Sequence, residues 1–302
     1  MLLLTGHRGR VRSLSFSADG GLLASCAGHG KAVWLWDLNR QGKRGFLSGH
    51  RSRVTAVAFA PAGEWLASRD AWGFTLLWDV PRRRELAHAL GPLPSMFGHA
   101  VTPDGRRLVV GQNDGRSFPQ QSYEVRHLDV AAGVEVPEVR VHSGAGRTAG
   151  VGLAYSPAGD ALAVVTLGGQ VHLWGLSPVR RRGQVPYRRA LNALAFAPDG
   201  RTLAVAAGLE VRLWDTATGA ERATLRGHAR VVTGVAFTPD GRLLASASTD
   251  GQVKLWDVAA AKERAAYDWQ VGPVTALALA PDGMRGACGG AKGALAVWDL
   301  DL

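Results

Sequence analysis

His228, Ser246, Ser248 and Asp250 fall within one short stretch of a 302-residue chain. A serine, a histidine and an aspartate are the side chains from which a hydrolytic nucleophile is assembled, the histidine taking the hydroxyl proton and the acid orienting the histidine. The serines lie in "LLASASTDG", which lacks the Gly-x-Ser-x-Gly turn that exposes such a nucleophile. Trp256 and Asp257 end the same stretch, in "QVKLWD".

Arginine is the second side chain with chemical reach here. The chain has 35 basic and 25 acidic residues, a net charge of +10 and a pI of about 10.4. Most of the basic residues are arginine, which grips a carboxylate or a phosphate with two bonds. The same bias, with abundant Ala, Gly and Leu, also fits coding from a G+C-rich, bacterial-like genome. The net charge still sets up a field that attracts anions.

Other chemistries have little support. Cys26 and Cys288 sit in apolar, strand-like runs. No Cys-x-x-Cys or Cys/His ligand spacing occurs, so neither a metal site nor a disulfide framework is expected. No phosphate-cradling glycine loop appears and no cofactor is indicated. No window approaches the ~20 apolar residues of a membrane span. "MLLLTGHRGR" is too short, with charge in the wrong order, for a secretory signal. A reducing cytoplasm is the expected location.

The elements that would position these residues repeat. "GKAVWLWD", "WGFTLLWD", "GLEVRLWD", "QVKLWD" and "KGALAVWD" end at Asp37, Asp79, Asp215, Asp257 and Asp299, and weaker copies end at Asp129 and Gly175. The spacings are 42, 50, 46, 40, 42 and 42 residues. A period of this length means an array of equal structural units. Residues 227–257 serve as the template. "VTGVAF" is a strand, "TPDGR" a turn, "LLASAS" a second strand, "TDG" a tight hairpin and "QVKLWD" a third strand. "ERAAYDW" supplies a weaker fourth. Helical periodicity is absent.

A sheet of four short strands cannot bury both faces alone, whereas seven stacked radially bury one another and leave only short edges. The spacing therefore predicts an all-β, seven-bladed propeller of one domain over residues 1–302. "ALAVWDLDL" stops after the third strand of its unit. Residues 2–4 precede Gly6-His7 where other units carry a fourth strand, so they are expected to complete the last blade and close the ring.

The Gly-His pairs at 6–7, 49–50 and 227–228, the Pro-Asp-Gly turns and the terminal Trp-Asp pairs closely resemble WD40 repeats. The resemblance covers nearly the whole chain. It implies that His228, a strand-two hydroxyl (Ser246 or Ser248), Asp250 and Trp256 form one buried hydrogen-bonded set inside blade six. Such groups must satisfy one another or cost several kcal/mol, so the set reads as structural rather than catalytic.

Blades one and two keep the histidine, as His7 and His50, whereas blades three, four, five and seven have Pro92, Gly146, Tyr187 and Gln270 there. Gly98-His99 falls inside a first strand. At the Asp250 position blade two has Trp72, blade four Gly168 and blade seven Lys292, and only blade three retains the acid, as Asp114. Blades three, four, five and seven are therefore expected to be looser.

Family propellers resemble docking platforms. The loops leading into strand one and the hairpins between strands two and three share one face, and mapping them across the blades puts Arg8, Arg10, Arg51, Arg53, Arg147, Arg188, Arg189 and Arg230 there. Trp72 and Trp269 are expected on the same face. Arg and Trp dominate binding hot spots. "PRRRE" at 81–85, "VRRRG" at 179–183 and Arg40, Lys43 and Arg44 are expected in turns on the opposite face, so charge alone does not choose a face. An insertion at about 114–122 should protrude beside Trp72.

Function follows as an expectation: a non-enzymatic scaffold binding an acidic protein or peptide partner, itself a monomer with no membrane. The alternative is binding of an RNA or DNA backbone, against which stands the scarcity of aromatics interleaved with arginine. Catalysis in the central channel is disfavoured, because the first-strand segments carry no recurring acid, histidine or nucleophile.

Overall fold

The computed structural model describes residues 1–90, 96–113, 122–132, 134–136, 141–142, 150–166, 169–186 and 191–300. Among the described residues every regular element is a strand. They form seven antiparallel sheets, as the 42-residue period requires.

Blade six shows how the sequence builds one unit. Its strands are Val232–Phe237, Leu243–Ser248, Gln252–Asp257 and Lys262–Asp268. The first turn is fixed by Thr238, whose hydroxyl donates to Asp240 Oδ1 at 2.6 Å while its oxygen accepts the amide of Leu243 at 3.1 Å. The second strand is buried along its whole length, and the fourth is mostly exposed. This gradient is what radial stacking demands. Ala245 and Ala247 of this blade share a core with Val274, Cys288 and Ala296 of blade seven.

The last sheet has the order Leu2–Leu4, Leu295–Asp299, Arg285–Gly290, Val274–Leu279. Leu3 lies opposite Ala296, so the N-terminal strand completes blade seven. Thr275 Oγ1 donates to the Val11 carbonyl of blade one at 2.7 Å across the closure. Both ends of the ring are thus tied by strand pairing and by a side chain.

In every blade the pairing of strands one and two slips at the second residue of strand one, at Arg12, Thr55, Phe97, Val151, Asn192, Thr233 and Thr275. A bulge there re-aims one residue per blade. Thr233 and Thr275 use it to reach the next blade's first carbonyl, Val274 and Val11, at 3.0 and 2.7 Å.

Two blades depart from the expected layout. Blade three has a fourth position split into Val134–Glu135 and Val141–His142, both paired with Tyr123–Asp129. In blade four the "VRRRG" run is not a turn. The third strand extends to Leu176 and the fourth begins at Val179, so Arg180, Arg181 and Arg182 lie within the strand Val179–Pro186. Ser177-Pro178 makes the connection, and a polar fourth strand at the outer rim tolerates three arginines.

Candidate protein-binding face

Blade two builds the most prominent feature of the hairpin face. Its second strand, Trp65–Asp70, turns back into Thr75–Asp79 through Ala71, Trp72, Gly73 and Phe74. Asp70 organises this turn. Its Oδ1 accepts the amides of Trp72 and Phe74 at 2.9 and 3.1 Å, and its Oδ2 accepts from His50 Nδ1 at 3.2 Å. His50 Nε2 lies 2.6 Å from Ser68 Oγ, which accepts the Trp78 indole N–H at 2.7 Å. Four side chains therefore lock the hairpin that carries Trp72, and Trp72 stands 58% exposed. The Arg53 carbonyl accepts the amide of Ala71, so Arg53 and Trp72 ride on one rigid unit.

Blade six has the same set with its acid two residues further along the hairpin. His228 Nδ1 donates to Asp250 Oδ2 at 2.9 Å, and Ser246 Oγ, 2.7 Å from His228 Nε2, accepts the Trp256 indole at 2.8 Å. Ser248 serves the loop instead, donating to the Arg230 carbonyl at 3.0 Å. Burial holds His228 below the ordinary imidazole value despite its bond to Asp250. The distances match a nucleophile–base–acid chain, yet Ser246 is fully buried and its oxygen is already shared with an indole. A substrate has no route to it.

Asp70 aligns with Ser248 rather than with Asp250. Reading position by position therefore assigns Trp72 to the acid's place and misses the acid. The histidine is reached equally well from the end of the strand. Blade one keeps three of the four and lacks the acid: His7 Nε2 is 2.7 Å from Ser25 Oγ, and Trp36 donates to the same oxygen at 2.7 Å. Burial, with Lys43 nearby, lowers His7 to about 4. The glycine before each histidine has a steric reason. A Cβ on Gly49 or Gly227 would lie 3.0 or 3.2 Å from the edge of the Trp78 or Trp256 indole.

Arg8, Arg10, Arg51, Arg53 and Arg230 are all exposed on this face. Among the described residues none of these five side chains forms an ion pair. Four described acids at the hairpin ends of the strands are engaged: Asp70 with His50, Asp250 with His228, Glu210 with Arg226 at 2.9 Å and Glu124 with Arg126 at 3.1 Å. The exposed Lys31 and Lys292, on the hairpins of blades one and seven, add to the same charge. Arg147, Arg188, Arg189 and residues 114–121 of the insertion lie outside the described residues, as do Pro92, Asp114, Gly146, Gly168 and Tyr187.

On the turn face part of the positive charge is paired, although Arg40, Lys43, Arg44 and Arg83 still gather around a single acid, Asp37. The strand topology delivers the aspartates of the Trp-Asp pairs to this side. Asp37, Asp79 and Asp257 each accept an amide of the following turn, from Arg40, Arg82 and Ala260, at 3.0, 2.9 and 2.7 Å. Several also neutralise arginine, Arg82 against Asp79 at 2.9 Å and Arg222 against Asp215. Hydrogen bonds from Arg222 and from the Thr218 amide hold Asp215 well below the usual carboxylate range.

Trp269 is not a rim residue of the same kind as Trp72. It is half-buried, stacked between Tyr267 and Trp298 at 5.0 and 5.4 Å, with its indole nitrogen buried. It offers a partner an edge and serves mainly to cover blade seven.

The WD40 family profile (WD domain, G-beta repeat) matches residues 1–37, 42–79 and 219–257. Those segments hold blade one and most of blades two and six, the three that have a Gly-His pair and the indole–serine–histidine set. The chain is a seven-bladed propeller that carries WD40 repeats in blades one, two and six. Such propellers are generally non-enzymatic and typically serve as protein-interaction scaffolds. A comparison with curated proteins found no match. In this WD40 chain, among the described residues, no group of three His, Cys, Asp or Glu side chains could hold a metal ion, and no helix is long and apolar enough to cross a membrane.

Proposed function

We propose that this WD40 propeller is a non-enzymatic scaffold that binds an acidic protein or peptide segment on its hairpin face. The observation that carries the reading is the contrast in pairing. Arg8, Arg10, Arg51, Arg53 and Arg230 are exposed without a counter-ion, beside an exposed Trp72 whose hairpin is locked by Asp70. A rigid aromatic with unpaired guanidinium groups is the composition of a binding hot spot, and preorganisation lowers the entropy cost of docking.

A second reading has one specific observation in its favour. Arg40, Lys43, Arg44 and Arg83 line a depression on the turn face together with a single acid, Asp37. Such a patch suits a polyanionic backbone. The two readings separate in one experiment. Tagged protein is used to recover partners from a lysate of the source cell, with and without nuclease, alongside a variant carrying Arg53→Ala and Trp72→Ala. A protein partner that survives nuclease and is lost with the double variant supports the hairpin face. Recovery that collapses with nuclease, and falls steeply with salt, supports the polyanion reading instead. Binding retained by the double variant rejects the face assignment.

A further inference from the structure

Arg69 is out of place in its strand. It stands on Trp65–Asp70, opposite Ala56 of the first strand and Thr75 of the third. The register-equivalent residues of the other blades are Cys26, Gly111, Val165, Ala206, Ala247 and Gly289. All are uncharged, as befits a position pressed against the neighbouring blade.

The direction of Arg69 follows from alternation. Trp65, Ala67 and Leu77 share a core with Leu108 and Val110 of blade three. Arg69 and Thr75 continue the same face, so both project into the seam between blades two and three. From the other side, His99 pairs with Val110 and Gln112 follows two residues after it, which sets both toward blade two. Burial, and to a lesser degree the charge of Arg69, pushes His99 down to about 3.

None of these four side chains is satisfied. Arg69 Nε and Nη1, Thr75 Oγ1, His99 Nδ1 and Gln112 Oε1 are all buried and lack a hydrogen-bond partner. Five such atoms are gathered in this one seam. Buried polar atoms are almost always paired, so a cluster of orphans marks a place where something else binds. Water can satisfy a hydroxyl or an amide, but it leaves a buried guanidinium without a counter-charge, which is costly. Asp70 is the adjacent acid, and its carboxylate is already taken by His50 and two backbone amides.

We propose that this seam is a carboxylate socket, in which Arg69 takes the side-chain carboxylate of an aspartate or glutamate from the partner. The inference rests on the acidic-partner reading above and names its anchor. Arg69, His99 and Gln112 each keep part of their surface exposed, whereas Thr75 is fully buried and forms the floor. A neutral His99 and the Thr75 hydroxyl donate to the bound carboxylate, and Gln112 offers its amide nitrogen after a half-turn of the amide. Arg53 and Trp72 belong to the same blade as Arg69, on loops that meet at the Ala71 amide.

The test compares wild type, Arg69→Met and the Arg53→Ala, Trp72→Ala double variant. The probe is fluorescein-labelled hexaglutamate followed by anisotropy, with hexaglutamine as control, and each protein is also melted without peptide. Arg69→Met should bind hexaglutamate about tenfold or more weakly, yet melt at a higher temperature than wild type, because an unpaired buried charge is removed. Affinity unchanged in Arg69→Met, or a lower melting temperature, overturns the socket. Loss in the double variant alone leaves the hairpin-face reading standing and sinks the socket. Loss in Arg69→Met alone upholds the socket and sinks the rim. A wild type that does not prefer hexaglutamate to hexaglutamine overturns the socket as well.

Discussion

Trp174 of blade four donates its indole N–H to Tyr123 Oη of blade three at 2.8 Å. In blade six the same indole position is served from within the blade, by Ser246. Blade four has Val164 at that place and no hydroxyl to offer. The phenol of the neighbouring blade substitutes for it, and passes its own proton toward His172 Nδ1 at 2.8 Å. Burial lowers His172 to about 4, so its ring is neutral with Nδ1 free to accept and Nε2–H directed at Gln170 Oε1, 3.1 Å away. The indole–hydroxyl–imidazole chain of the repeat is thus rebuilt across a blade boundary.

Tyr123→Phe should therefore destabilise the chain more than a surface change. It strands the Trp174 N–H and His172 Nδ1 together, and each orphaned buried group costs about 1–3 kcal/mol. Urea unfolding followed by tryptophan fluorescence measures the loss. An effect below about 0.5 kcal/mol, the scale of ordinary surface substitutions, would mean that water replaces the phenol.

Asp70→Ala should act on stability and on binding together. The carboxylate accepts from His50, Trp72 and Phe74, so its removal frees the Trp72 hairpin and takes a buried hydrogen bond from His50 inside blade two. A loss of about 3 kcal/mol is expected. Partner affinity should fall as well, because Trp72 is no longer held in place. Asp70→Asn keeps the acceptor for the turn amides and should recover most of the binding.

The ring was legible in the sequence because it rests on a period, and a period survives the loss of any one motif residue. The last-blade closure was legible for the same reason, from the strand missing at one end and spare at the other. Asp70 was not, because the side chain that meets His50 arrives from two positions earlier than in blade six, and only a fold brings Ser248's place and Asp250's place to the same imidazole. Tyr123 was hidden more deeply, since its partners Trp174 and His172 belong to another repeat. Arg69 has no counterpart in any other blade, and a mapping that looks for shared positions passes over it. The pairing of charges on the turn face was also hidden. Motif aspartates look like fold residues in the sequence, and it is the strand direction that delivers them to the turn face.

Both cysteines should be inert in the folded chain. Cys26 and Cys288 are fully buried, and burial pushes each thiol up to about 12. The thiolate is the reactive form, so neither should be labelled by a thiol reagent at pH 8 in native buffer. Both should react in denaturant. Rapid labelling of one cysteine under native conditions would show that its blade opens locally.

Hydrogen exchange should rank the blades. Blades two and six, which hold a histidine between a buried serine and an aspartate, should protect their second strands, Trp65–Asp70 and Leu243–Ser248, longest. Blade seven should exchange sooner, since Cys288 stands in the serine's place and the Trp298 indole N–H is buried without a partner. Local opening free energy follows this kind of satisfied contact. Equal protection across the three strands would show that packing alone sets blade stability.

Stability should also fall with acid, and the sign follows from the histidines. His7 and His172 are held near 4 and His99 near 3 in the fold, chiefly by burial, against about 6.5 when unfolded. Each folded-state value is depressed, so below 6.5 the unfolded chain binds protons that the folded chain refuses. The folded state is therefore at full advantage above about pH 6.5 and loses ground as the pH drops toward 4, each histidine contributing up to about 1.4 kcal/mol per pH unit. The midpoint of urea unfolding should be flat from pH 8 to 7 and then decline between pH 6.5 and 4. His172→Gln, which can still accept from Tyr123, should flatten part of that decline while leaving the neutral-pH midpoint little changed. A decline of the same slope in the variant would remove His172 from the set.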